Sequence, residues 1–207
     1  GVNLIGTIGR LHFERGDAKR ALQNYEQAHE LALRLGVMHF KDEATLLKNR
    51  GEALLELGRL PEAHACLERV AGIYAATGLR DGPAYASLLR VRGLLSQNLG
   101  DMAAALEAMD EAHRIRQKVG SSRTKSAALN LVQLGDVKMD HGDIEGASLA
   151  YKEAQAIYGD MRMPERSMSV QDLMERLERS GSRLDLFFLH FSRTGLSRGL
   201  LRACACA

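Results

Sequence analysis

Lys48 and Arg90 stand 42 residues apart, each inside a run of helical periodicity, LLKNRGEALLELG and LLRVRGLLSQNLG. Arg10 and Asn49 fall near them once the two runs are laid in register. Cations at one register position on neighbouring helices make or break no bond. The chemistry open to them is electrostatic: a cationic saddle that holds an acidic group of a partner. The same residues also make sense as a solvated face, because Lys48–Glu52 and Arg10–Glu14 are i,i+4 pairs of opposite charge.

The groups that could do bond-making chemistry are scattered. His12, His29, His39, His64, His113, His141 and His190 show no His-Glu-x-x-His spacing. Cys204 and Cys206 with His190 fall short of the four ligands of a structural zinc site. Cys66 lies in a helical run and reads as a small packed apolar residue rather than a nucleophile. No phosphate loop and no Ser elbow occurs. The expectation is a chain that is not an enzyme and takes no cofactor, no metal and no small-molecule substrate.

The elements that carry these residues follow from an internal repeat. Gly9, Gly51, Gly93 and Gly135 share a step of 42 residues, and so do Gly16, Gly58, Gly100 and Gly142. Ala21, Ala63, Ala105 and Ala147 keep it, as do Ala28, Val70, Ala112 and Ala154. A fixed period of this length marks stacked supersecondary units. The first glycine column lies inside apolar helical runs, where Gly costs roughly 1 kcal/mol relative to Ala; its recurrence implies close helix–helix approach. The second column ends a helix in a left-handed cap, and Asp17, Asp101 and Asp143 follow as N-caps of the next helix. Each unit is therefore helix A, a Gly-Asp turn and helix B. The helices fall near 2–15 and 18–35, 39–57 and 60–77, 83–99 and 102–119, and 123–141 and 144–160.

Composition agrees with such an array. Among 207 residues, apolar types make 45%, aromatic types 5% and proline occurs three times, so long Ala/Leu-rich helices run uninterrupted. Net charge is +2, yet six arginines crowd the stretch from Arg176 to the C-terminus and leave the repeats slightly acidic. A repeat body without a basic stripe is not expected to bind nucleic acid. Three cysteines form no disulfide framework, no signal peptide is visible and no apolar run is long enough to span a bilayer. A reducing, cytoplasmic setting is expected. Gly1 opens the chain inside a helical pattern without a Met, as a fragment of a longer array would.

Ile8-Gly9, Gly16, Ala21, Tyr25 and Ala28 in the first unit, and Leu134-Gly135, Gly142, Ala147, Tyr151 and Ala154 in the fourth, resemble the tetratricopeptide repeat. The middle units depart from it, with Leu67 and Met109 at the second aromatic position, and His12, Leu54, Ser96 and Lys138 stand at the first. The usual unit is about 34 residues, and the longer step here is similar to the repeats of kinesin light chains, as is HRIRQKVG at 113–120, and more loosely to those of Pins-type scaffolds. The resemblance implies an all-α, right-handed superhelical solenoid of four helical hairpins, about 1–36, 37–78, 79–120 and 121–162. A capping helix over 163–180 follows, with a basic and apolar tail at 181–207. It also implies that the A helices line a groove for a peptide or helix of a partner protein. The groove residues would be Arg10, Phe13, Lys48, Asn49, Glu52, Arg90, Leu94, Gln97, Asn98 and Asp136. The dicarboxylate clamp of chaperone-binding relatives is met only at Asn49, so tight binding of chaperone C-termini is not expected.

Val170, Leu173, Met174 and Leu177 have helical spacing and suit the cap that a solenoid end needs. Ser180-Gly181-Ser182 reads as the end of that helix. LDLFFLHF and the arginines beyond it could dock on the cap, enter the groove, lie on an acidic membrane surface or stay disordered. The expected function is an adaptor that binds a peptide, plausibly acidic, of a partner. The alternatives are a non-binding spacer or regulatory segment of a larger protein, and membrane-surface attachment through the tail.

Overall fold

The structure of the chain is a computed structural model that describes the backbone of residues 1–193 and the side chains of residues 1–179. Over that range it is all-α. Four antiparallel hairpins follow one another: α1 (Val2–Glu14) with α2 (Ala18–Arg34), α3 (Phe40–Glu56) with α4 (Leu60–Thr77), α5 (Pro83–Asn98) with α6 (Met102–Lys118), and α7 (Lys125–Asp140) with α8 (Ile144–Asp160). A last helix, α9 (Pro164–Arg193), packs on α8. Each A helix also touches the A helix of the next unit, so α1, α3, α5 and α7 form a continuous inner layer.

One turn geometry is used four times. Gly16, Gly58, Gly100 and Gly142 have φ between 70° and 85°, a conformation that costs Gly nothing and other residues roughly 1–2 kcal/mol. The amide after each of them donates back to a helix-A carbonyl, Asp17 to His12 at 2.9 Å and Asp143 to Lys138 at 2.8 Å. That bond ends helix A in a Schellman-type cap. Asp17, Asp101 and Asp143 then accept from the amides of Arg20, Ala104 and Gly146 at 3.0, 3.0 and 2.9 Å and start helix B. The second unit lacks the Asp. There Pro61 stands in the first turn and Arg59 forks onto Glu62 at 2.7 and 2.6 Å.

The helical glycines and the large residues of helix B form matched columns. Tyr25, Leu67, Met109 and Tyr151 are at most 1% exposed and lie against Gly9, Gly51, Gly93 and Gly135. A Cβ on Gly135 would fall 2.5 Å from a Tyr151 ring carbon, and one on Gly51 would fall 3.0 Å from the end of Leu67. The small columns Ala21/Ala63/Ala105/Ala147 and Ala28/Val70/Ala112/Ala154 are fully buried, Val70 included. The core is thus a ladder of large-on-glycine contacts flanked by alanines.

Two features differ from the expectations. Gly36, Gly78 and Gly120 end the first three B helices at φ 64–69°, but the same position in the fourth unit is Arg162, held at φ 54°. The last helix also does not stop at Ser180. It continues through Gly181 to Arg193, since one helical glycine costs only roughly 1 kcal/mol and good helix formers, Glu178, Arg179, Arg183 and Leu184, stand on either side of the Ser-Gly-Ser. Val170 and Leu177 of this helix are buried, with Leu173 and Met174 half-buried beside them. The rest of the tail, with Arg198, Arg202, Cys204 and Cys206, lies outside the described residues.

The glycine ladder predicts a graded response to alanine. Gly135→Ala meets a buried ring pinned by its own hydroxyl and should destabilise by about 2 kcal/mol, the cost of overpacking outweighing the gain in helix propensity. Gly51→Ala meets only the flexible end of Leu67 and should fall within about 0.5 kcal/mol of the parent. Thermal or urea unfolding of the two variants reads this difference directly.

Candidate functional site

The inner layer of A helices bounds a cavity of about 970 Å³. Helices α1, α3, α5 and α7 all contribute to its walls, the α1–α2 turn closes one side, and Tyr158 of α8 with Arg166 of α9 closes the other. Seven cationic side chains line it against four carboxylates among the described residues. The repeats as a whole are slightly acidic, so the positive charge has been gathered inside.

Glu52 organises the deepest part. Arg90 donates through Nη2 to Glu52 Oε1 at 2.6 Å and through Nη1 to Gln133 Oε1 at 2.8 Å, tying α3, α5 and α7 together. Lys48 Nζ is 3.8 Å from Glu52 Oε2, beyond ordinary hydrogen-bond length. Behind Ser126, Arg116 of α6 donates through Nη2 to Ser87 Oγ and Ser126 Oγ, both at 3.1 Å. Arg90 is 3% and Arg116 1% exposed, and the Nε of each has no partner among the described residues. Burial pushes the Lys48 ammonium down from its ordinary pKa; Glu52 opposes this while Arg90 and Arg116 add to it. Burial and Arg90 push the Arg116 guanidinium down to about 10. Burial alone would raise the Glu52 carboxyl, but Arg90 and Lys48 outweigh it and hold the group below the usual carboxylate range.

An ion pair crosses the mouth. Lys125, at the start of α7, donates to Glu14 Oε1 at 3.0 Å, and Arg10 donates to the same oxygen at 3.0 Å. Lys125 is the principal cause of the lowered Glu14 pKa. The first and fourth units are thereby joined across the opening, 111 residues apart in sequence.

Seven of the ten residues expected to form the groove line this cavity: Arg10, Phe13, Lys48, Asn49, Glu52, Arg90 and Leu94. The other three do not. Gln97 donates to Asp140 at 3.2 Å, Asn98 donates to the Leu94 carbonyl of its own helix at 2.8 Å, and Asp136 accepts from the Tyr151 hydroxyl at 2.6 Å. Burial raises the Asp136 pKa, the bond from Tyr151 opposing it. These three positions share the helix face but sit where neighbouring side chains already satisfy them. Glu14, already paired with Arg10 in the sequence reading, joins the arrangement; Gln133, Arg116, Ser126 and Lys125 complete it and were not singled out. Gln133 follows Asn49 by two steps of 42 residues, and Arg116 stands in the column of Ala32, Tyr74 and Tyr158, all buried, so register alone would have flagged both.

Elsewhere the chemistry is sparse. Among the described residues no group of three His, Cys, Asp or Glu side chains could hold a metal ion, and no helix is long and apolar enough to cross a membrane. Burial pushes the free Cys66 thiol up, which keeps it protonated and poorly nucleophilic.

An array of helix–turn–helix units with a cavity on its A-helix side defines a helical-repeat solenoid. A family model of the tetratricopeptide repeat matches residues 3–76, the first two hairpins, and the 42-residue glycine and alanine columns continue through the other two. Ninety-eight solved chains share the fold. One is BtubC (BKLC) from P. vanneervenii, at 17% identity and TM-score 0.60, over 87% of this chain and 81% of that one. A Podosopora anserina kinesin light chain protein with nearly identical TPR-like repeats aligns at 17% identity and TM-score 0.62, over 95% and 97%. A Rap protein complexed with Competence and Sporulation Factor aligns at 15% identity and TM-score 0.76, over 93% of this chain but only 52% of the Rap protein. At these identities the likeness is one of fold. No curated protein sequence matches the chain.

Glu52 is the carboxylate that two buried cations, Arg90 and Lys48, share, so its neutral isostere is diagnostic. Glu52→Gln should cost about 3 kcal/mol, because breaking a buried pair leaves its cations uncompensated. The sign with pH follows from the lowered pKa. The stabilisation by Glu52 is fully present above the carboxyl's unfolded-state value near 4.5 and is lost as pH falls through the depressed native value. Unfolding midpoints of the parent and the variant, measured from pH 7 downward, should therefore stay apart above pH 4.5 and draw together as pH falls below it.

Proposed function

We propose that this chain is a protein-docking module that holds an acidic segment of a partner protein in the cavity bounded by its four A helices. The observation that carries this reading is the excess of cations over carboxylates on the cavity walls of an otherwise slightly acidic repeat body. Charge gathered in a low-dielectric cleft focuses the field and draws in a partner of opposite sign. Arg10, Arg15, Lys19, Lys125 and Arg166 sit near the rim and steer, while Phe13, Leu57 and Leu94 give apolar surface for the stems of the incoming side chains. The Glu14–Lys125 contact opens to admit a chain and can be replaced by the ligand's own carboxylate on Lys125. A Rap protein, half of whose length shares this fold, is complexed with Competence and Sporulation Factor, which supports the reading. The proposed setting is the cytoplasm, where Cys66 stays a free thiol.

A random peptide library selected on the full chain, beside the rim variant Arg10→Ser/Arg166→Ser, tests the proposal. Both side chains are exposed, so the variant should fold. Acidic peptides should be enriched on the parent, bind more weakly as salt rises and lose about tenfold in affinity on the variant. Enrichment without acidic bias, or none on a folded parent, would replace the docking module by a spacer.

A further inference from the structure

We propose that the floor of this cavity is a binding site for a phosphoryl dianion, centred on the Lys48 ammonium. The inference deepens the docking reading and rests on it for the route by which a ligand enters.

Charge balance is the first ground. Lys48 and Arg90 share one carboxylate, Glu52, and Arg116 lies behind them close enough for its charge to act on both cations; the two arginines are at most 3% exposed and the Lys48 and Glu52 side chains 19% and 15% exposed. Taking two uncompensated positive charges out of water is costly, and structures that do so hold them to a counter-ion. A phosphate monoester carries about −1.5 to −2 at neutral pH on a single centre. That matches the surplus, whereas one carboxylate supplies half of it.

The second ground is which donors remain open. Arg90 commits one N–H of each terminal nitrogen, to Glu52 and to Gln133, and only 4% of its side chain is exposed. Little of the two-pronged grip by which arginine favours a carboxylate is therefore within a ligand's reach at this residue. Lys48 is the reverse case. Its one ion-pair partner among the described residues is 3.8 Å away, and no hydrogen bond there takes up its three N–H donors. A lysine acts on phosphate as a point charge and needs no planar match. The Asn49 amide and the Ser126 hydroxyl share the cavity wall and complete a polar set around it. With the ligand in place the ammonium would gain the second counter-charge that Glu52 alone does not provide.

Inorganic phosphate, O-phosphoserine and glutarate, titrated calorimetrically into the full chain at constant ionic strength, test the site. One equivalent of phosphate or phosphoserine should bind, raise the unfolding temperature above that in matched chloride and exceed glutarate about tenfold in affinity, the worth of one extra charge-assisted contact. Lys48→Gln should lose about tenfold, and Lys152→Gln, on the exposed side of α8, should lose nothing. Phosphoserine tighter than inorganic phosphate identifies the source as a modified side chain of a partner; equal affinities identify the free ion. Glutarate as tight as phosphate, no phosphate effect beyond chloride, or an unchanged Lys48→Gln would overturn the site. Should Lys48→Gln unfold, protection of Lys48 from amine labelling by phosphate in the parent decides the matter, and labelling unaffected by phosphate overturns the site. Acidic peptides selected without any phosphate effect would sink this site and leave the docking reading standing. Phosphate binding without peptide selection would do the opposite.

Discussion

A large helix-B side chain resting on a helix-A glycine is the contact from which the rest of this molecule follows. Tyr25, Leu67, Met109 and Tyr151 can lie flat on their hairpin partner only because Gly9, Gly51, Gly93 and Gly135 present no Cβ. That contact fixes the distance and the rotation of the two helices in each unit. Once the rotation is fixed, the face of helix A that turns away from helix B is fixed as well. In four consecutive units these faces meet, and the cavity is what they enclose.

Placing charge there has a cost that the fold meets only in part. Glu52 holds Arg90 directly and Lys48 loosely, and Gln133 of the next unit takes the other terminal nitrogen of Arg90. Arg116 is held by two serine hydroxyls, which carry no charge, and its Nε has no partner among the described residues. A spacer has no use for such an arrangement, and replacing it by apolar side chains would often be neutral or stabilising. The surplus of buried cations is the ground on which the anion site is proposed.

Much of this was legible in the sequence. The period of 42 residues gave every hairpin, since the glycine columns need backbone conformations or close approaches that other residues do not tolerate. Lys48, Arg90 and Glu52 were legible for the same reason, because register places equivalent positions on adjacent helices. Asp136, Gln97 and Asn98 share the helix face but do not line the cavity: periodicity gives a face, but it does not say which residues on that face a neighbour captures, and Tyr151, Asp140 and the Leu94 carbonyl capture these. The Glu14–Lys125 contact was invisible, because closure of the array depends on the accumulated rotation between units and no local pattern encodes it. The run of α9 past Ser180 shows a smaller limit: a glycine flanked by serines marks a turn in many chains, yet its penalty is small beside the propensity of a long helix.

The account turns on whether the cavity, and not the outer surface, is where anions collect. Diffraction from crystals of the full chain soaked in sodium bromide, recorded at the bromine absorption edge, measures this without assuming any partner. The strongest anomalous peak is predicted inside the cavity, beside Lys48. Bromide found only on the exposed arginines of the outer helices, with none in the cavity, would contradict the account.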